Sequence, residues 1–173
     1  MANIIPFSFR GALFSAQHDF ANGGNTFKIS LYTGSISSTY TTSSTVFSNN
    51  NEVSSGGGSN YSVKTLGSQA VASGTAVASV DFANVTYSSA TFTAAYAAIY
   101  NTDTVDGVAN RLVVVLDFGG DKTATNGTFT ITFPDPSTPA NAIISTLFMN
   151  SVISCIRSSN TTIKRYKTSY GPS

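Results

Sequence analysis

The sequence predicts an all-β fold, an antiparallel β-sandwich of jelly-roll-like type with a short N-terminal helix and extended termini. Three observations lead there. Leu112–Phe118 is a nearly continuous apolar run rich in β-branched residues, and Thr128–Phe133 alternates strictly, with Phe129, Ile131 and Phe133 on one face. The Gly/Asp/Asn/Thr segment between them reads as a connection, so Arg111–Phe133 is expected to form a hairpin within a larger sheet. Thr26–Thr33 sets Phe27, Ile29 and Leu31 against Lys28, Ser30 and Tyr32, the period of a strand. Charged residues make up only 10% of the chain, well below the roughly 25% of an average globular domain, so Ser, Thr, Asn and Gly must build the polar surface.

The remaining elements follow in chain order. The 173 residues fit one main domain, divided here into an N-terminal arm and helix (1–25), a β-sandwich (26–147) and a basic C-terminal extension (148–173). Within Ser8–Phe20, the spacing of Phe9, Leu13, Ala16 and Phe20 predicts a helix, with Ser8 placed to cap its start and Asn22-Gly23-Gly24 to stop it. Residues 34–60 form a long Ser/Thr/Asn/Gly loop, and Gly56-Gly57-Gly58 reads as flexible linker. Tyr61–Leu66 resumes as a strand. Ala70–Phe82, Asn84–Tyr87, Ala90–Phe92 and Ala94–Asn101 carry Thr, Tyr, Phe and Ile spaced by twos, which favours strands with small residues where two sheets approach. Pro134, Pro136 and Pro139 close this region, and Ala142–Leu147 is expected to be a further strand.

Composition and motifs narrow the chemistry. The net charge of +1 gives no bulk case for nucleic acid or membrane partners. The charge is unevenly spread: eight acids and five Lys/Arg before Pro139 give −3, whereas Arg157, Lys164, Arg165 and Lys167 give the remainder +4. Cys155 is the only cysteine, so no intrachain disulfide forms, and beside Val152, Ile153 and Ile156 it reads as a small buried hydrophobe. No basic start followed by an apolar core marks a signal peptide. His18 is the only histidine, no GxSxG elbow is present, and His18 is expected to be an ordinary surface or helix-flank residue. Asp103 and Asp106 share one loop while Asp117 and Asp121 flank Gly119-Gly120. That pattern fits turn chemistry better than a cation site. Gly56-Gly57-Gly58 lacks the Lys-Ser/Thr of a phosphate loop. No enzyme activity and no cofactor are expected.

Three segments taken together carry a resemblance. They are SFRGALFSAQHDF leading into TFKISLYTGS; NNNEVSSGG followed by VDFANVTY and AAIYN; and NRLVVVLDFGGDKTATNGTFTITFP. Their order resembles a group of small tailed-bacteriophage virion proteins, generally described as structural, over about residues 1–145. Residues after Ile144 depart from that pattern. The resemblance implies a non-enzymatic virion component made in the host cytoplasm. The leading expectation is a capsid decoration (cement) protein, a homo-oligomer with a trimer favoured, bound to the major capsid protein or other virion proteins. The expected contact residues are Ile4, Ile5, Phe7 and Phe9 in the N-terminal arm and Arg157, Lys164, Arg165 and Lys167 in the basic tail. A neck or tail component is the alternative. A receptor- or glycan-binding module is another, with its site at Thr39–Asn60 beside Tyr32, Tyr40 and Tyr61.

Overall fold

The computed structural model of the chain describes residues 3–34, 36–73, 78–133 and 144–145. Helix α1 (Phe7–Phe14) is followed by strands β1 (Phe27–Tyr32), β2 (Lys64–Thr65), β3 (Ala70–Ser73), β4 (Ala78–Asp81), β5 (Val85–Asn101), β6 (Arg111–Ile131) and β7 (Ile144–Ser145). They form two antiparallel sheets, one in the order β2-β1-β5-β6 and one in the order β3-β4-β7. The fold is therefore all-β and sandwich-like.

The expected hairpin within Arg111–Phe133 does not form. Residues 111–131 are one continuous strand, and its partner is β5, paired from Val85↔Ile131 to Asn101↔Arg111. The three strands expected between Asn84 and Asn101 are likewise one. Gly119 (φ 72°) and Gly120 (φ 126°) do adopt the backbone that a turn would use. They spend it on a bulge: between the pairs Ala94↔Lys122 and Tyr96↔Asp117, β5 advances two residues and β6 five. Asn126 (φ 47°) and Ser89 (φ 51°) mark smaller register shifts on either strand. A bulge wins over a turn here because a reversal at Gly119 would fold β6 on itself and leave Tyr87 and Phe92 of β5 without Phe129, whose ring lies 5.0 Å from that of Phe92. Beyond the bulge the outer face of the ribbon is uncharged, with hydroxyl contacts Thr86–Thr130 at 3.3 Å and Thr93–Thr123 at 2.8 Å.

Across β1, the last part of β5 and the first part of β6, the four-stranded sheet is buried on both faces. Phe27, Ile29 and Leu31 of β1, Ile99 of β5 and Val113 and Val114 of β6 face a core that also takes in Phe82 and Ile144. Tyr32, Ala98, Leu112 and Val115 face a second cluster, closed by Ile36 and Tyr40. The continuous apolar run at Leu112–Val115 is thus explained by a layer on each side, as a doubly covered strand requires. Ala94, Ala97 and Ala98 are fully buried, small residues where the layers come close.

The covering layer on the second face is the 34–60 loop, which is tied down along its length. Phe47 donates its N–H to Asn110 O (2.8 Å), Leu112 donates to Thr45 O (3.0 Å) and Val53 donates to Leu31 O (2.9 Å). The glycine tract is a closed turn rather than a linker: Gly57 and Gly58 take positive φ, and Ser59 Oγ donates to Ser54 O at 2.8 Å.

The helix is shorter than expected. It starts after Pro6, whose position at the N-cap brings no side-chain cap, and Ser8 Oγ donates instead to Ser44 O, 3.2 Å away. It ends at Phe14: Ala16 takes φ 52°, and Gln17 donates its N–H back to Ala12 O at 2.9 Å. Phe20 has the spacing of a fourth helical anchor but reaches the core differently. The chain after α1 hooks back so that the Phe20 ring stacks on Phe27, with centroids 4.5 Å apart and planes within 7°. Phe9 and Phe20 belong to the same hydrophobic cluster as Ile29 and Ile99, so the N-terminal segment is anchored in the core of the body.

Candidate functional site

The most distinctive surface among the described residues is the outer face of α1. Two turns of helix separate Phe7 and Phe14, so both point the same way. They are 60% and 75% exposed, unusually open for phenylalanine. Leu13 flanks them at 37%, and the Arg10 guanidinium sits 5.4 Å from the Phe7 ring centroid. Gly11 lies between the two rings, and a methyl group there would meet nothing within 4 Å. The face is therefore an aromatic pair with a notch and one cation beside it. Gly11→Ala is expected to stabilise the fold by about 0.5–1 kcal/mol, because it adds helix propensity where space is open; thermal unfolding of the variant checks this.

The face is held on a fixed base. Ile4 exchanges two backbone hydrogen bonds with Val115 of β6 (2.9 and 2.8 Å), Phe7 donates its N–H to Thr42 O at 2.9 Å, and Asn3 Oδ1 accepts the Asp117 N–H at 2.9 Å. Phe9 and Ala12 anchor the inner side of the helix.

The expected contact residues of the arm therefore divide. Phe7 is on the surface. Phe9 is a correction: it is 1% exposed, packed edge-on to Phe20 at 6.1 Å, and serves the core. Ile4 and Ile5 are half-buried, Ile4 as an added rung on the edge of β6 and Ile5 against the main core. Arg157, Lys164, Arg165 and Lys167 lie outside the described residues, as does Cys155. Phe14 and Arg10 were missed by sequence reasoning. The seven-residue spacing of Phe7 and Phe14 is the signal in the sequence for this face.

The tyrosine loop is arranged inward. Tyr32 and Tyr40 are fully buried, their hydroxyls 2.9 Å apart, and both donate to Ser48 O, at 2.7 and 2.9 Å. The Ser48 N–H in turn reaches Tyr40 OH at 2.8 Å. Tyr61 OH donates to Glu52 Oε1 at 2.6 Å and accepts the Leu31 N–H at 3.0 Å. None of the three rings is free to stack on a sugar. They leave an open groove of about 470 Å3 lined by Asn49, Glu52, Ser54, Ser55, Tyr61 and Ser62.

Burial pushes the phenols of Tyr32, Tyr40, Tyr61 and Tyr87 above the ordinary value of 10. A neutral phenol favoured by the fold gives stability that is complete below pH 10 and lost as pH rises through it. These four tyrosines are accordingly expected to stay protonated past pH 10 and to ionise only as the chain unfolds, as an absorbance titration of tyrosinate will show.

His18 also departs from expectation. It is 8% exposed, not a surface residue, because the hook behind α1 carries it under Phe9, whose ring centroid is 5.0 Å away. Three of the loop carboxylates are occupied locally: Asp103 Oδ2 accepts the Thr26 N–H at 2.6 Å, Asp106 pairs with Arg111 at 3.3 Å, and Asp117 Oδ1 accepts the Gly119 N–H at 2.8 Å. Among the described residues, no three His, Cys, Asp or Glu side chains gather as a metal site would require. No protein-family model, curated protein or solved structure matches this chain significantly.

Proposed function

We propose that the chain is a non-enzymatic structural protein of a tailed-bacteriophage virion, a decoration protein that binds the assembled head shell, as a trimer, and stiffens it against the pressure of packaged DNA. The observation that carries this reading is the outer face of α1. Two exposed phenylalanines on a rigidly anchored helix form a ready-made hot spot, since large rings with few rotatable bonds lose little entropy on docking. The sequence resemblance supplies the virion context. The low charge supports the same reading, because a polar but uncharged β body suits packing beside other copies in a lattice. Ile4 and Ile5, half-buried in the arm that leads into α1, are further proposed contacts, and the basic segment at Arg157, Lys164, Arg165 and Lys167 is a second contact proposed for an acidic neighbour on the shell.

The test uses heads lacking this protein. Added full-length chain is expected to bind saturably and to raise the temperature at which the heads rupture. Phe7→Ser with Phe14→Ser is expected to abolish both effects while changing the chain's own unfolding free energy by less than about 0.5 kcal/mol, because both side chains are largely exposed and neither enters the core. Binding that survives the double substitution would remove the α1 face from the interface.

A further inference from the structure

The hook between α1 and β1 is fastened by an amide network whose proton positions are fully determined. The Asp19 N–H donates to Asn25 Oδ1 at 2.8 Å, and the Asp103 N–H donates to Asn101 Oδ1 at 3.0 Å. Backbone N–H groups can only donate, so both side-chain oxygens are fixed and neither amide can be reversed. The Asn101 Nδ2 group then has two hydrogens and two acceptors, Asn25 Oδ1 at 3.0 Å and His18 Nδ1 at 3.0 Å. His18 Nδ1 must therefore be unprotonated, and the ring's one proton sits on Nε2. That atom is buried with no hydrogen-bond partner.

We propose that His18 is an acid-sensitive latch, which holds the N-terminal hook to the end of the sheet only while its ring is neutral. A second proton can go only to Nδ1, where it would face the Asn101 amide donor head on. Turning Asn101 over to receive it would orphan the Asp103 N–H and set two oxygens against each other at Asn25. The new charge would also lie between the rings of Phe9 and Phe20, 5.0 and 6.1 Å away.

The charged groups around the latch do not rescue it. Asp19 Oδ1 accepts the Ala21 N–H at 2.8 Å, Asp103 Oδ2 accepts the Thr26 N–H, and Asp106 is paired with Arg111. Arg111 itself adds positive charge on the β6 side. Lys28 of β1 is next to Phe27 in sequence, and Arg10 lies over Phe7 on the outer side of α1. Desolvation, and then Arg111, lower the pKa of His18 from 6.5 to about 4. A base whose folded-state pKa is depressed contributes stability that is complete above pH 6.5 and lost as the pH falls toward 4.

What the latch holds is defined by the surrounding contacts. Gln69 Nε2 donates to Ala21 O and Asn25 O at 2.7 and 2.9 Å, and the Thr102 N–H donates to Thr26 O at 2.8 Å. The hook is also tight: a methyl group on Gly24 would stand 2.6 Å from Asp19 Cγ and 2.7 Å from its carbonyl oxygen. Opening would free residues 15–26 and with them the inner anchorage of α1. The inference concerns the chain alone and does not depend on the partner proposed above.

Hydrogen–deuterium exchange on the full chain tests it, with rates corrected for the intrinsic effect of pH. Between neutral pH and about pH 4.5, opening of residues 15–26 is expected to rise on the order of 10²-fold, while β5 and the first half of β6 stay protected. His18→Phe keeps a ring between Phe9 and Phe20 but cannot titrate, so its hook is expected to show no such dependence, whatever its baseline. Gly24→Ala is expected to open the hook already at neutral pH. An unchanged pH dependence in His18→Phe would overturn the proposal. Should that variant not fold, the native chain decides alone, since it has one histidine. Its NMR signal is expected to report an Nε2–H tautomer at neutral pH and a midpoint near 4; titration near 6.5, or an Nδ1–H tautomer, would overturn the latch.

Discussion

Phe27→Ala is expected to lower the unfolding free energy by about 3–5 kcal/mol, the range for deleting a ring from a close-packed core. Phe27 is fully buried at the start of β1. Its ring stacks on Phe20 at 4.5 Å and meets Phe82 at 5.7 Å, and Phe82 continues to Phe133 at 5.8 Å. The column therefore joins the hook, β1, the residue following β4 and the residues following β6. Partners drawn from four separate segments cannot all move into one cavity, so little of the lost volume is recovered. Urea unfolding measures the effect, and the m-value is expected to stay constant if only the folded state has changed. A loss under about 1 kcal/mol would mean that the aromatic column is not what joins hook and sheet.

Tyr40→Ala should cost a similar amount, about 3–5 kcal/mol, and locally it should do more. The Tyr40 ring meets Tyr32 edge-on at 5.5 Å, and its hydroxyl is the partner of the Ser48 N–H. Removing the side chain opens a cavity in the second core and leaves Ser48 and Tyr32 short of partners in a buried setting. Tyr40→Phe separates the two contributions: it keeps the ring and is expected to cost about 1–3 kcal/mol for the unsatisfied groups alone. In both variants, exchange protection should fall first in residues 36–53, the layer that covers β1, β5 and β6. Uniform loss across β1 and β5 instead would mean that loop and sheet unfold as one unit.

Much of the body was legible in the sequence, for specific reasons. The alternation of Phe27, Ile29 and Leu31 placed β1 correctly because a half-period is hard to imitate. Leu112–Phe118 marked the start of β6 because it is a nearly continuous apolar run rich in β-branched residues. The alanines of β5 were read as strand because Thr, Tyr and Ile recur beside them. What failed was whatever depended on a distant partner. Gly119-Gly120 and Asn126-Gly127 look alike whether the chain turns or bulges, and the choice is made by the length of β5, which begins some thirty residues earlier. Phe20 satisfied a helical spacing that the chain meets by hooking. The 34–60 loop looked unstructured because its composition is polar, although Tyr40 within it and Tyr32 just before it are its anchors. His18 looked like a surface residue because nothing local reveals that Asn25, Gln69 and Asn101 converge on its hook.

The candidate site was legible in part. The arm was expected to make contacts, and Phe7 stands on an exposed face; Phe9 turned out to be the anchor that holds that face in place. Period alone marks both sides of a helix, and burial decides which side is free. Here the core claims Phe9 and Ala12, and Phe7 and Phe14 are what remains.

The copy number of this chain in purified virions, measured by quantitative mass spectrometry against the major capsid protein, tests the central claim most directly. A decoration protein is expected at hundreds of copies per particle, in fixed ratio to the shell lattice. A handful of copies would place it at the neck or tail, and its absence from purified particles would contradict a structural role in the virion altogether.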